Sequence, residues 1–249
     1  MVKNREKNKI VKASVSVIIL KGEKTDNELL TKCLKSVSWA DEIVTIETQK
    51  INGSFSEWRN EGIKKSKGDW IFYVDTDEEV TQNLQREIEL IITNEKLRIY
   101  TYAVPRRNII FGKEFKHSGQ YPDYQIRLFK KTNLKKWVGK LHEQPEYEGI
   151  LGYLKNSLVH HKNMTISEMI DKTNKWSEIE ADLMIEAKHP PMNFVRFLTA
   201  GLREFSLWFV KEKAFLDGKE GVIYGIYQIY SKLISYSKLW EKQQSTIRI

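Results

Sequence analysis

Short apolar runs alternate with amphipathic stretches in the first half of the chain. The runs at 13–20 (ASVSVIIL), 41–47 (DEIVTIE) and 70–74 (WIFYV) are rich in β-branched and aromatic residues, which predicts three buried strands. Apolar residues at helical spacing predict one helix over 29–37, and a second, short helix is expected over 55–65. Strand, helix, strand, helix, strand predicts an α/β domain with a mostly parallel sheet and right-handed crossovers.

Punctuating residues predict where these helices begin and end. Thr25 and Glu28 have the spacing of a capping box at the start of the first helix, and Gly68 follows the second. Val80 and Thr81 are predicted to open a third helix. Cys33 lies on the apolar face of the first helix, which favours a small core residue over a reactive thiol.

The second half is basic, aromatic and rich in tyrosine. A capped helix is predicted from Thr165 to Lys188, followed by Pro190 and Pro191 and then by aromatic faces flanked by lysines over 192–240. Two interpretations stay open for this region: a helical appendage packed on the domain, or an interfacial surface that lies on anionic lipid.

Three segments are expected on this basis. They are a basic N-terminal tail (1–12), a main domain (13–160) with two halves (13–98 and 99–160), and a helical C-terminal region (161–249).

Composition limits the class of partner and the cellular compartment. The chain has 249 residues, a net charge of +8 and one cysteine. A basic balance favours a polyanionic partner, and a single cysteine excludes a disulfide framework. The sequence carries no signal-peptide pattern and no run approaching the ~18 apolar residues of a spanning helix. We therefore expect a cytoplasmic protein, and peripheral contact with the inner face of the cell membrane stays open as an interpretation. No zinc-finger or RNA-binding signature supports nucleic acid.

An acidic cluster follows the third predicted strand. Asp75, Asp77, Glu78 and Glu79 crowd its carboxyl end, where open α/β sheets bind their ligands. Two aspartates spaced D-x-D can both reach Mg²⁺ or Mn²⁺. Such an ion keeps coordination positions open for substrate phosphates. The alternative is a solvated acidic turn that caps the next helix.

The wider sequence resembles the family-2 glycosyltransferases, and within them the lipopolysaccharide-core β-glucosyltransferase-like branch. The segments that carry the resemblance, from about Val15 to about Trp240, are SVIIL, CLKSVSWADEIVTIE, WRNEGIKKSKGDWIFYVDTDEEV, VPRRNIIFGKEFKHSGQYPDYQIRLFKK, LHEQPEYEG and FLDGKEG. The resemblance implies a Rossmann-like fold of the A type (GT-A). It also implies inverting sugar transfer from a nucleoside-diphosphate sugar, UDP-sugar above all, to a cell-envelope or lipid-linked glycan.

The resemblance makes 13–98 the nucleotide-binding half of a glycosyltransferase domain (13–160) and 99–160 its acceptor-binding half. It also implies roles for individual residues. Asp75 and Asp77 match the motif that binds the metal and the diphosphate, and Arg59 and Asn60 match a helix beside the nucleotide. The uridine-contacting loop after the second strand is altered to ETQKING, so Glu47 is the candidate replacement for the family's aspartate.

Further candidates come from the basic second half. Five basic residues are candidate contacts to phosphates, since guanidinium pairs bidentately with them, or else form a solvated positive face: Arg106, Arg107, Arg127, Lys130 and Lys131. Of these, Arg106 is the candidate contact to the donor's phosphates. His160, at the end of a predicted strand, is a candidate third metal contact. Glu143, in the pair with His142 that matches the family, is the candidate general base, and Asp123 is the second candidate.

Two other functions compete with sugar transfer. The loops after the first and second strands, KGEKTDNE and ETQKING, both depart from the family's pattern, which would also suit a degenerate, non-catalytic relative that binds membranes. A phosphotransferase of the haloacid-dehalogenase type fits less well, because Glu79 stands where its D-x-D-x-[TV] motif has Thr or Val.

Overall fold

The computed structural model describes residues 13–94, 96–139, 143–162 and 165–247. The predicted tail, 1–12, and His142 lie outside the described residues. The chain forms two compact units: the first holds the residues up to Arg106 together with Tyr124–His160, and the second holds Arg107–Asp123 together with His161–Ile249.

The elements follow in chain order. The strands are β1 (Val15–Lys21), β2 (Glu42–Glu47), β3 (Trp70–Tyr73), β4 (Glu78–Val80), β5 (Thr101–Ile110), β6 (Lys113–Glu114), β7 (Asp123–Lys130), β8 (Leu134–Val138), β9 (Gln144–Tyr147), β10 (Leu151–Tyr153) and β11 (Leu158–Lys162). The helices are α1 (Asn27–Ser36), α2 (Phe55–Lys65), α3 (Gln82–Ile92), α4 (Ile166–Glu186), α5 (Phe194–Phe205) and α6 (Gly218–Ile247), with a π-helical stretch at Ser206–Lys211.

The first unit is built on a mixed sheet. Its strand order is β2-β1-β3-β7-β5-β11-β4, with β10 beside β5. The first three strands are parallel, as expected, whereas β3 pairs with β7 and β4 with β11 in antiparallel fashion. The predicted α/β architecture is confirmed, with parallel pairing concentrated where the strand–helix alternation predicted it.

Alternate side chains of the central strands fill two apolar layers. Val17 and Phe72 pack into one layer with residues of α1 and α3, including Cys33. Ile18 and Tyr73 pack into the other layer, against α2 and the β8–β9 hairpin. Because β3 lies between β1 and β7, its end is an interior position of the sheet.

Two predicted helix starts were wrong. Asp26, not Thr25, caps α1, because its carboxylate accepts hydrogen bonds from the backbone N–H of Glu28 and Leu29, while the Thr25 hydroxyl donates to the Gly22 carbonyl. Val80 lies in β4, paired with Leu158, so α3 starts only after Thr81.

Gly68 does not end α2, which stops at Lys65. The glycine instead lets the chain pass β1, because a Cβ there would lie 2.6 Å from the Ser16 nitrogen.

The second unit is mainly helical. Helix α4 packs along α6, and Ala181, Met192, Ala200, Tyr236 and Leu239 form a buried cluster among α4, α5 and α6. The buried Asp217 carboxylate accepts hydrogen bonds from the backbone N–H of Lys116 and His117 and from the Ser118 hydroxyl, which fixes the segment after β6. Among the described residues, no helix is long and apolar enough to cross a bilayer.

Candidate active site

The acidic cluster forms a tight turn between β3 and β4. The Glu78 N–H donates to the Asp75 carbonyl at 3.0 Å, which closes the turn. The Glu78 side chain folds back, and its Oε2 accepts a hydrogen bond from the Asp75 N–H at 3.0 Å. Glu78 is fully buried, and its carboxylate therefore stabilises the turn from inside the protein.

Arginines compensate these carboxylates. Arg127, buried on β7, pairs with both oxygens of Asp75, and its Nη2 lies 2.9 Å from Glu78 Oε1. Arg106 Nη1 lies 3.2 Å from the same Glu78 oxygen. A buried carboxylate is tolerated only when it is paired and hydrogen-bonded, and Glu78 meets both conditions.

Arg59 extends this set of charges to Glu143. Its Nη2 lies 3.6 Å from Asp75 Oδ1, and its Nε lies 3.4 Å from Glu143 Oε1. The guanidinium also lies over the rings of Trp137, at 4.7 Å, and Tyr73, at 5.2 Å, which favours a cation. Carboxylates and guanidiniums therefore alternate along one chain of contacts, which we call the charge network: Glu143, Arg59, Asp75, Arg127, Glu78 and Arg106.

The charge network holds Asp75 ionised. Burial disfavours its charged form, but Arg127 and Arg59 outweigh that effect and keep the pKa of Asp75 well below its ordinary value. The same pairing raises the pKa of Arg127 above its ordinary value despite burial, through Asp75 and Glu78. Asp75 is therefore a fixed negative charge at any ordinary assay pH.

The RNEG segment of α2 serves three separate purposes. Arg59 carries charge into the network. Asn60 donates from Nδ2 to the Trp137 carbonyl at 2.9 Å and accepts from the Trp137 N–H at 2.7 Å, so its amide fixes β8. Gly62 allows close packing, since a Cβ there would lie 2.6 Å from Ile18 Cγ2. A direct contact of Asn60 with the nucleotide stays a prediction.

Asp77 and His160 form a second pair beside the network. Asp77 Oδ2 lies 3.5 Å from His160 Nε2, because β11 pairs with β4 and brings His160 opposite Glu78. The Asp77 side chain is 41% exposed, whereas both oxygens of Asp75 contact arginines. No group of three or more His, Cys, Asp or Glu residues in the described part of the chain is arranged to hold a metal ion.

The remaining candidates have local partners. Glu47, at the end of β2, pairs with Lys50, whose hydrogen bond and charge lower the pKa of the Glu47 carboxyl. In the second unit, Asp123 accepts a hydrogen bond from Asn108 Nδ2 at 3.1 Å. Arg106 belongs to the charge network, and its contact with donor phosphates stays a prediction.

Sequence reasoning missed the part that Glu78 and Arg127 play. Glu78 was predicted only as one carboxylate of the acidic cluster, and Arg127 only as one of several basic residues near phosphates. A signal was present in YQIRLF, where a cation interrupts an otherwise apolar strand. A charge in such a strand requires a buried opposite charge, and Glu78 supplies it.

We expect Cys33 to be unreactive in the folded protein. It is fully buried, and its Sγ lies 3.4 Å from the Asp75 carbonyl oxygen. Burial, helped by the charges of Glu78 and Asp75, raises the pKa of the thiol to about 12, so the thiolate is scarce at pH 8. Titration with a chromogenic disulfide at pH 8 should give no rapid reaction until denaturant is added. Rapid stoichiometric reaction of the native protein would contradict this placement.

Comparisons with known proteins find a matching family and several similar proteins. The profile of Glycosyl transferase family 2 matches residues 14–147. The lipopolysaccharide core biosynthesis glycosyltransferase LpsC of Rhizobium meliloti (strain 1021) is 23% identical, over 78% of this chain and 83% of that protein.

Two solved structures are also similar. The mannosyltransferase PcManGT from Pyrobaculum calidifontis, in complex with GDP-Man and Mn²⁺, matches with a TM-score of 0.46 at 10% identity, over 93% of this chain and 88% of that one. S. aureus TarS 1–349, in complex with UDP-GlcNAc, matches with a TM-score of 0.43 at 11% identity, over 94% and 92%.

The chain belongs to glycosyltransferase family 2, since the family profile covers more than half of it. It is a glycosyltransferase with the A-type α/β fold, and it resembles the lipopolysaccharide-core branch.

Proposed function

We propose that the protein transfers a sugar, with inversion, from a nucleoside-diphosphate sugar to a cell-envelope or lipid-linked glycan. The observation that carries the proposal is the pairing of Asp77 with His160 next to the ionised Asp75, at the carboxyl end of an interior strand. A uridine diphosphate sugar is the first donor to test, because it is the donor the family resemblance implies.

We propose that Asp77 and His160 supply two of the contacts to a divalent ion, Mg²⁺ or Mn²⁺. One carboxylate oxygen and one imidazole nitrogen already lie within 3.5 Å of each other, and a hard cation with few protein ligands keeps positions for phosphate oxygens. When bound, the ion would neutralise charge on the departing diphosphate. Asp75, held by Arg127 and Arg59, contributes a fixed carboxylate beside this pair, and its role as a direct ligand remains part of the proposal.

Glu143 is the proposed general base. It would accept the proton of the acceptor hydroxyl while that oxygen forms a bond to the sugar's anomeric carbon and the bond to the diphosphate breaks. Its contact with Arg59 ties the Glu143 carboxylate to the residue that also contacts Asp75. Asp123 is kept as the second candidate.

The proposed acceptor agrees with the charge of the chain. A net charge of +8 favours approach to anionic glycolipids and to an anionic membrane surface on the cytoplasmic side. We therefore propose peripheral contact with that surface as part of the function.

Thermal shift and calorimetry with uridine, guanosine and thymidine diphosphates, each with and without Mn²⁺, test the donor site directly. We expect one nucleotide to stabilise the fold, and more strongly with the metal. A protein that binds none of them, and hydrolyses or transfers no common nucleotide sugar, would instead be a degenerate, membrane-binding relative. Formation of a phosphorylated aspartate would favour the phosphotransferase.

We expect Asp77→Asn to weaken metal-assisted donor binding. The substitution keeps the side chain's shape but removes the charge that would attract the cation. Calorimetry with the preferred nucleoside diphosphate should show that Mn²⁺ enhances binding in the wild type by at least about tenfold more than in the variant, a loss of about 1.4 kcal/mol.

The matched control is Glu79→Gln, which removes a charge two residues away without touching the proposed ligand pair. Equal metal enhancement in Asp77→Asn and wild type would remove Asp77 from the metal site.

A further inference from the structure

Helix α5 exposes a continuous apolar face. Its members share one side of the helix at helical spacing: Phe194, Val195, Leu198, Leu202 and Phe205. Phe194 is 80% exposed and Leu202 is 60% exposed, although neighbouring Ala200 and Glu204 on the other side are buried. Contiguous apolar surface of this kind marks an interaction site in a folded protein.

A basic flank borders this face. Arg196, Thr199 and Arg203 follow one another at spacings of three and four, and together with His189 and Tyr236 they line a pocket of about 120 Å³. Arg203 is fixed there, because its Nη2 donates to the Tyr236 hydroxyl at 2.8 Å and to Glu204 Oε1 at 3.2 Å. The Arg196 side chain makes no hydrogen bond or ion pair with any residue that the structure describes.

Charges around the face favour an anionic partner. Of the nearby acidic residues, Glu204 and Asp217 are buried and Glu212 is partly exposed beside Lys211, whereas Lys211 and Lys213 are exposed. A second copy of the chain would present the same positive flank, which disfavours self-association through this face. An anionic bilayer offers both an apolar interior for the aromatic and leucine side chains and phosphates for the arginines.

We propose that α5 is an interfacial helix that docks on an anionic lipid bilayer, with the Phe194–Phe205 face in the headgroup and acyl boundary and a lipid phosphate bound by Arg196 and Arg203. The membrane proposal deepens the proposed function. It rests on that function only for the choice of an anionic membrane as the partner. Arg196 and Arg203 would reach from the apolar face to the headgroup phosphates, as long cationic side chains do at membrane surfaces.

Vesicle co-sedimentation, without donor or acceptor, tests the proposal. Wild type should bind vesicles of phosphatidylglycerol and phosphatidylcholine, bind pure phosphatidylcholine vesicles less, and release as salt screens the charges. Phe194→Ser/Leu202→Ser should reduce binding to the anionic vesicles by at least about tenfold. Arg196→Gln should reduce it by about fivefold, the contribution of one arginine near such a surface.

Matched controls come from α3. Leu90 is an exposed leucine, and Arg86 is an exposed arginine on the same helix, so Leu90→Ser and Arg86→Gln should bind vesicles as wild type does. Binding lost equally in these controls, or kept in both α5 variants, would overturn the proposal.

Absence of wild-type binding at low salt would also overturn the proposal. So would concentration-dependent dimers that Phe194→Ser/Leu202→Ser abolishes, since a second copy would then cover the face. If inorganic phosphate displaced the protein from anionic vesicles as well as an excess of further anionic vesicles does, the arginines would be assigned to a free phosphate instead. A protein that binds vesicles but no nucleoside diphosphate would refute the donor proposal and leave this one standing.

Discussion

Replacing Arg127 by methionine should lower the free energy of unfolding by about 3–5 kcal/mol, the range measured when one partner of a buried ion pair is removed. The buried Glu78 carboxylate would keep Arg106 but lose its contact with Arg127, and Asp75 would lose the guanidinium that pairs with both of its oxygens. Methionine fills much of the arginine's volume, so the loss reports on charge rather than on a cavity. Urea unfolding followed by tryptophan fluorescence gives the measurement.

Arg107→Met is the control for this experiment. Arg107 pairs with Glu114 at 3.2 Å, but both side chains are about one-third exposed, so we expect a change within about 1 kcal/mol. Arg127→Lys should fall between wild type and Arg127→Met, because lysine keeps the charge but cannot bind two oxygens side by side. If Arg127→Met unfolds like Arg107→Met, the charge network does not stabilise the fold.

The second large effect concerns catalysis. We expect Glu143→Gln to bind donor and metal as wild type does, and to lose about 10²- to 10⁴-fold in the rate of transfer, as general-base removal typically does. Glutamine keeps an oxygen that can accept from Arg59, but it cannot take the acceptor's proton. Single-turnover transfer at saturating donor separates this loss from a binding defect.

Two variants interpret that result. Glu146→Gln, on β9 in an exposed pair with Lys136, should leave transfer unchanged, and Asp123→Asn should keep most of it. An inactive Asp123→Asn together with an active Glu143→Gln would move the base to Asp123. Full activity in both would exclude both carboxylates.

Local signals in the sequence predicted local structure well. Helix α2 spans the predicted residues, and Ser54 and Glu57 form a capping box at its start. The start of α1, the preceding helix, was predicted wrongly. Asp26 competes with Thr25 for the same backbone N–H groups, and a carboxylate is the stronger acceptor. Val80 was misplaced because its pairing with Leu158 depends on a strand far along the chain.

The candidate site was predictable only in outline. The position of Asp75 and Asp77 at a strand end followed from the alternation of strands and helices. The partners of Asp75 did not, since Arg127 lies 52 residues further along the chain and arrives on an antiparallel strand. Spacing alone could not show that Asp75 is paired with guanidiniums, nor that Asp77 lies next to His160 instead.

The clamp between Asn60 and Trp137 has a consequence for hydrogen exchange. The β8–β9 hairpin forms a separate two-stranded sheet, and the chain reaches Glu143 immediately before β9. The Trp137 amide proton is donated to the Asn60 side chain rather than to a neighbouring strand, so it exchanges with deuterium only when the hairpin separates from α2. The exchange rate of the Trp137 amide therefore measures, in the absence of any substrate, how often the β8–β9 hairpin next to Glu143 separates from α2.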